Sequence, residues 1–482
     1  MNDKLAARQA SRSEAHRFLF WPFLTVVLLA PAAVGGNRPL FWSVLAFALG
    51  VVLLLWVYAA IRNRGLAPIP FRTLAPAALP FFLAIAWAWL QSVSWIPEAL
   101  KDPAWRETGA AFGRNLPGSI SLAPEEAGTG IMRLLSYGTV LFLALQFGYS
   151  KRCRRTMLWG VAGAGALYAL YGILVWLDGN TSVGWLAKWA YPDSLTSTFV
   201  NRNNYATYAG LGLCAALALI ARGLAAGGFR SNGFMLALVL AVPIAAALLL
   251  SRSRAGVASV LIAILAMAVV VAVSPKARSA RIAFACCAAA LMLAGLIVVG
   301  GGLIGRLDPS GIEQFDGRAR LWLSTLSAIG GRPLGGGLGA FPYFFPAYRD
   351  AAIGPEFGMI DKAHNTYLEM AAELALPIMA ALVVGLGWIV VRMVRVSLRL
   401  NPGAALAAIG ASVLVAVHSL FDFGLQIPAI TVTWLLLLGA GLAQVEHHSR
   451  RRLASPTHRG TRHKLAARFR GSPKLSVVAE DH

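Results

Sequence analysis

The side chains of this sequence that are equipped for chemistry gather in a few short motifs. His364, in Ala363-His364-Asn365-Thr366-Tyr367-Leu368-Glu369, is of the residue type that is neutral yet basic near pH 7, which a general base requires. Thr366 and Glu369 behind it have the S/T-x-x-E spacing of a capping box, so a helix start accounts for both, and Glu369 is a supporting candidate beyond that. Glu369 and Glu373 share a helix face at i, i+4 and repel unless a cation or hydrogen bonds intervene. Arginines come in two pairs. Arg252 and Arg254 lie in Ser251-Arg252-Ser253-Arg254-Ala255-Gly256; Arg318 and Arg320 lie in Phe315-Asp316-Gly317-Arg318-Ala319-Arg320-Leu321-Trp322. A guanidinium stays charged and offers a planar bidentate fork, which suits a phosphate. The plainer reading of Arg252 and Arg254 is snorkelling to lipid phosphate. The spacing predicts that Arg318 and Arg320 open an amphipathic helix running to about Ser327, with Asp316 as its cap. There they either pair with Asp316 or add to an anion site at the helix start. Arg349 and Lys362 are single loop charges, a type most often solvated, with Arg349 kept as a supporting candidate. His418 and Asp422 stand at i, i+4 near a helix end and form either part of a site or a polar clasp between helices. The chain has no H-E-x-x-H, no C-x-x-C and no D-x-D, so neither a metal nor a cofactor is expected.

Membrane helices must position these groups. Of 482 residues 57% are hydrophobic and 13% charged, and mean hydropathy is +0.64. Apolar runs of roughly 17–25 residues recur along the whole length, each long enough to cross the bilayer core as a helix. The expected fold is therefore an all-α polytopic membrane protein of about 12 transmembrane helices. The spans are read at 18–35, 40–61, 74–95, 131–149, 157–177, 204–221, 233–251, 255–273, 282–304, 375–396, 403–421 and 427–445. They make one membrane domain, 18–445, between an N-tail (1–17) and a basic C-tail (446–482) that reads as disordered. The first span lacks a small-residue cleavage site and is read as uncleaved. Cys153, Cys214, Cys286 and Cys287 make no disulfide framework.

Charge orients the spans. With both tails in the cytoplasm, the inward connections hold Arg62, Arg64 and Arg72; Lys151, Arg152, Arg154 and Arg155; Arg222 and Arg230; Lys276, Arg278 and Arg281; and Arg392, Arg395 and Arg399. None of these connections contains an acidic residue. The net charge of +22 is thus membrane topology plus attraction to anionic lipid, not a nucleic-acid footprint. Outward segments longer than turns are 96–130, 178–203 and 305–374. The last is a large outward loop with short helices, rich in Gly and aromatics, and is either a lid over a lipid-soluble substrate or a folded cap. His364 and both Arg pairs fall on this outward side, where positive charge breaks the bias and needs a local reason.

The sequence resembles the O-antigen ligase and Wzy-type O-antigen polymerase superfamily over roughly residues 195–430. The likeness rests on Thr198-Phe199-Val200-Asn201-Arg202-Asn203-Asn204-Tyr205-Ala206, Ser253-Arg254-Ala255-Gly256, Gly317-Arg318-Ala319-Arg320-Leu321-Trp322, Gly335 to Phe341, the His364 motif and His418-Ser419-Leu420-Phe421-Asp422-Phe423. It departs where the family often has Glu followed by Gly-x-x-Gly: here Glu373 leads into Leu374-Ala375-Leu376-Pro377. The resemblance implies a metal-independent glycosyltransferase of the bacterial inner membrane, working at the periplasmic face. Such an enzyme moves a glycan from undecaprenyl diphosphate to an acceptor hydroxyl, with inversion. It implies His364 as the base and Arg254 and Arg318 on the diphosphate, with Arg252 and Arg320 as second choices. The acceptor is another lipid-linked glycan (exopolysaccharide or O-antigen polymerisation), the lipid A core (ligation) or a protein, and a chain-length regulator is a possible partner. A transporter or flippase of lipid-linked polysaccharide is the alternative, although such folds usually show two similar halves with polar breaks at mid-membrane. A receptor or scaffold that docks partners on the loop is a third.

Overall fold

The computed structural model of the protein describes residues 18–62, 67–275, 281–282, 284–286, 289–290, 293, 309–353, 358–401 and 403–453. In chain order come α1 (Phe18–Ala32), α2 (Pro39–Arg62), α3 (Ala75–Ser92), α4 (Pro103–Phe112), α5 (Pro124–Gly148) and α6 (Lys151–Leu177). A two-residue hairpin follows, β1 (Ser182–Val183) against β2 (Leu186–Ala187). Then come α7 (Arg202–Gly227), α8 (Asn232–Leu250), α9 (Arg254–Val273), α10 (Pro309–Gly331), α11 (Phe341–Phe344), α12 (Thr366–Leu374), α13 (Leu376–Ser397), α14 (Ala404–His418) and α15 (Pro428–Leu453). Among the described residues, nine of these helices are long and apolar enough to cross a membrane, and α1 and α14 are shorter apolar helices. The chain is an all-α polytopic membrane protein. The expected span 282–304 lies almost wholly outside the described residues.

Burial sorts the helices. Helices that are apolar all round belong in the interior of a bundle, and α7 and α15 are the most enclosed. Small residues allow the close approach: a Cβ at Gly165 of α6 would lie 3.2 Å from Gly212 Cα of α7. By contrast α2, α3 and α13 keep outer faces such as Phe47, Leu79 and Val384 exposed, as lipid-facing helices do.

The long segments between spans fold into a cap with its own small core. Phe341, Phe344 and Phe345 pack with Leu321 and Ala328 of α10 and with Ala123, and Phe341 stacks on Phe345 at 4.8 Å between centroids. The described residues of the 305–374 loop pack together as a cap. Gln91, fully buried at the end of α3, ties the cap to the bundle. Its Nε2 donates to the carbonyls of Leu334 (2.7 Å) and Glu373 (2.9 Å). Gly335 and Gly337 have φ of +79° and +102°, and a Cβ would meet Glu373 O at 2.3 Å or Ser121 Oγ at 2.0 Å, so both positions require glycine. A partly buried ion pair between Arg332 and Asp102 joins the 96–130 segment to the cap. Where the family's Gly-x-x-Gly would fall, Ala375 takes φ +72° and ψ 149° between α12 and α13, a conformation that glycine adopts far more easily.

Candidate functional site

The site forms at the bundle end where α7, α9 and α15 begin and α14 finishes. Its centre is the turn after α14. There the amides of Phe421 and Asp422 donate to His418 O at 2.9 and 3.0 Å. The His364 motif is stitched onto this turn: Thr366 N donates to Ser419 O (2.9 Å), Asn365 Nδ2 to Leu420 O (3.0 Å) and Thr366 Oγ1 to Asp422 O (2.9 Å). This corrects the expected capping box. Asn365, not Thr366, is the N-cap of α12, its side chain accepting from Tyr367 N and Leu368 N. The reason is competition, because Thr366 spends both its amide and its hydroxyl on the neighbouring turn.

Glu369 is 1% exposed and also leaves the capping role. It reaches back to accept from Ala363 N (2.9 Å) and Gln426 Nε2 (2.6 Å), with Lys362 Nζ at 3.5 Å. These contacts fix the backbone just before His364, which sits at φ +49°. Glu373, one turn on, accepts from Phe341 N at 3.3 Å. Burial first and the charge of Glu369 second push its carboxyl above the ordinary range.

His364 meets Asp422. Nδ1 lies 3.5 Å from Asp422 Oδ1, an ion-pair contact longer than a formed hydrogen bond, and the ring packs edge-on against Phe423. The Asp422 side chain is 0% exposed while that of His364 remains 33% exposed, so the ring is anchored on one edge and open elsewhere. Burial pushes the Asp422 carboxyl up, but His364, His418 and the Phe423 N–H together outweigh it and hold it below its usual value.

A line of polar contacts runs from this pair to the Ser251–Gly256 turn. His418 Nδ1 lies 3.0 Å from Thr207 Oγ1, whose single proton goes to Asn203 O at 3.0 Å, so His418 is the donor in the first contact. Asn203 Oδ1 accepts from Ser253 Oγ at 2.8 Å, and Ser253 caps α9 through Gly256 N. Arg254, half-buried, is the first residue of α9, while Arg252 at φ +53° is exposed. The short connection between α8 and α9 is therefore as expected.

Arg318 and Arg320 require a correction. They do not open a helix: α10 already begins at Pro309 and runs to Gly331, so Asp316 is no N-cap and the pair has no helix end beneath it. The Asp316-Gly317 step before the arginines imitates a helix start, and local spacing does not reveal the turns that precede it. Arg318 remains close enough to Tyr191 and His418 for its charge to act on both. Arg320 faces Asp350 at 3.6 Å, and Arg349 is engaged on the carbonyls of Ile353 and Gly358.

Two residues join the site that were not singled out as site residues in the sequence. Arg202, the first residue of α7, holds its guanidinium over the Tyr191 ring at 5.3 Å and donates to Ser194 Oγ at 3.3 Å. Its Nε is buried without a partner. Burial first, then the Asp422 charge, raise the Tyr191 hydroxyl's pKa, against the opposing pull of Arg202 and Arg318. Like Arg254 on α9, Arg202 is the first residue of a helix at this end of the bundle. Among the described residues no group of three or more His, Cys, Asp or Glu is disposed to hold a metal ion. The arrangement can hold a base and orient it through a buried carboxylate, with the charge of Arg318 acting on the neighbouring His418 and Tyr191.

Residues 236–383 match the family model described as O-antigen ligase. The match takes in the Ser251–Gly256 turn, α10 and the His364 motif, and it supports the superfamily that the motifs suggest. Asn203, Thr207, His418 and Asp422 lie outside it. Among curated proteins none matches the chain significantly.

Proposed function

With an O-antigen ligase domain at residues 236–383 as the premise, we propose that the chain is a glycosyltransferase that takes a glycan from undecaprenyl diphosphate at the periplasmic face of the inner membrane. The observation that carries this reading is the anchoring of His364 on the buried Asp422, beside a His418 that is linked through Thr207 and Asn203 to the Arg-bearing turn. Outside the cytoplasm no nucleotide sugar is at hand, so the donor must bring its own leaving group, and a lipid diphosphate does. The acceptor oxygen attacks the anomeric carbon while the bond from that carbon to the phosphate oxygen breaks. His364 takes the hydroxyl proton, and the electron pair leaves on the diphosphate. One displacement inverts the centre.

Each residue has a stated part. Asp422 orients the imidazole with its Nδ1 edge inward and stabilises the imidazolium as it forms, which a buried carboxylate does well. Arg254 and Arg318 hold the developing phosphate charge, and fixed cations at a low-dielectric boundary do this without a divalent metal. Glu369 keeps the backbone ahead of His364 in place. Both tails lie in the cytoplasm, and the acceptor is a glycan or the lipid A core. Arg254→Ala and Arg318→Ala are expected to cut transfer from a lipid-diphosphate donor at least a hundredfold in purified, correctly inserted protein, since one lost charge-stabilising donor costs about 10²–10³ in rate. Full activity of both variants would sink the assignment of the diphosphate site.

A further inference from the structure

At the opposite end of the bundle lies a cavity of about 240 Å³ that the transfer chemistry does not use. Lys151, Arg154 and Arg155 from α6, Arg222 from α7 and Arg451 from α15 line it, and no carboxylate is among its lining residues. Glu446, on α15 nearby in sequence, is engaged by Arg392 and Arg450. Positive-inside topology explains why this end is basic, but it asks only for charge in the connections. It does not ask three helices to aim cations into one hollow.

The local physics makes the convergence costly without an anion. Lys151, Arg154 and Arg155 occupy the first turns of α6, where the helix dipole already presents its positive end. Arg154 is buried, and its guanidinium donates to the carbonyls of Gly148 and Tyr149 rather than to an acid. His447 also lines the cavity, and its Nδ1 is buried without a hydrogen-bond partner. Leu158 and Leu219 supply an apolar wall beside the cations. A charged hollow with an apolar wall, between membrane helices at their cytoplasmic ends, matches a phosphate that carries acyl chains better than a free ion.

We propose that this cavity binds a phosphate group, that of an anionic phospholipid of the cytoplasmic leaflet. The guanidinium forks of Arg155, Arg222 and Arg451 grip the headgroup, and its glycerol end lies along Leu158 and Leu219. The site is independent of glycan transfer, so its test needs no substrate turnover.

Delipidated full-length protein in neutral detergent is titrated with phosphatidylglycerol and with phosphatidylcholine, and bound lipid is counted by native mass spectrometry. The wild type is expected to bind phosphatidylglycerol at least tenfold more tightly. The triple variant Lys151→Gln/Arg155→Gln/Arg451→Gln changes exposed side chains, keeps the fold, and is expected to lose that preference. Arg222→Gln alone is expected to weaken it several-fold. A charge-matched control, Arg62→Gln/Arg72→Gln/Arg230→Gln, is expected to keep it. Equal loss in the cavity and control variants, or loss in neither, overturns the site. A parallel arm heats each protein with inorganic diphosphate and no lipid. Stabilisation of the wild type there, lost in the triple variant and without preference for phosphatidylglycerol, overturns lipid as the source of the phosphate.

Discussion

Replacing Asp422 by Asn keeps the backbone contacts of the turn after α14 but removes the charge that faces His364 Nδ1. An amide in that place can satisfy the wrong tautomer, and it cannot stabilise the imidazolium formed when the ring takes a proton. Transfer by Asp422→Asn is therefore expected to fall about 10²–10⁴-fold, the range general-base catalysis contributes. Yield and thermal midpoint should stay near wild type; equal activity in a purified-donor assay would remove Asp422 from the mechanism. At this scale the sequence was partly legible. His364 stands out by its residue type and by the side of the membrane that the charge bias predicts for it. Asp422 was read as the i, i+4 companion of His418, because spacing reports neighbours on one helix and says nothing of a partner 58 positions away. Glu369 was assigned to a capping box by its offset from Thr366. The hydrogen bonds that pull Thr366 to the turn after α14 belong to tertiary structure, and they override the local rule.

The elements carrying the site meet through buried polar groups, and α12 shows what this costs. Glu373 is buried, accepts a hydrogen bond from Phe341 N and faces the charge of Glu369, and burial with that charge disfavours its ionised form. Its folded pKa lies above the unfolded value. The stability tied to its protonated form is complete below the unfolded pKa and is lost as pH rises through the folded one. The thermal midpoint of the wild type should thus decline as pH climbs above the ordinary carboxylate range. Glu373→Gln, which can still accept from Phe341 N, should flatten that decline and be the more stable protein at the alkaline end. Parallel curves for the two proteins would contradict the burial argument. The sequence showed Glu369 and Glu373 as a repelling pair on one face, and the structure supplies separate partners for each. Helix α10 begins at Pro309 and not at Asp316, because an Asp-Gly step suggests a cap locally while the helix continues through it. Most of the spans, by contrast, match helices among the described residues, because a bilayer imposes length and apolarity on them. Helices α5, α6, α7 and α15 run several residues beyond the expected ends, since the bilayer sets the apolar stretch and not the polar turns that extend it.

At the scale of the molecule, the enclosed α7 and α15 form the frame, and the two ends of the bundle carry different charge. The cap closes over the end where His364, Arg254 and Arg318 belong, and the basic connections fill the other. Composition and charge bias make this division legible, whereas the packing of the described residues of the 305–374 loop into a cap is not, because its glycines and aromatics suit a mobile lid equally well. The acceptor is a property of the whole assembly and is separable in a deletion strain. Accumulation of single lipid-linked repeats is expected for a polymerase, and lipid A core without attached polysaccharide for a ligase; unchanged surface glycan would contradict both. The central claim is that His364 removes the acceptor proton in a metal-independent displacement. The direct measurement is glycan transfer by purified protein from a defined undecaprenyl-diphosphate donor in the presence of a chelator, with wild type beside His364→Asn. Asparagine tolerates the positive φ of this position, so the turn survives while the base is removed. The account predicts turnover by the wild type and none above background by the variant; transfer by His364→Asn at the wild-type rate would contradict it.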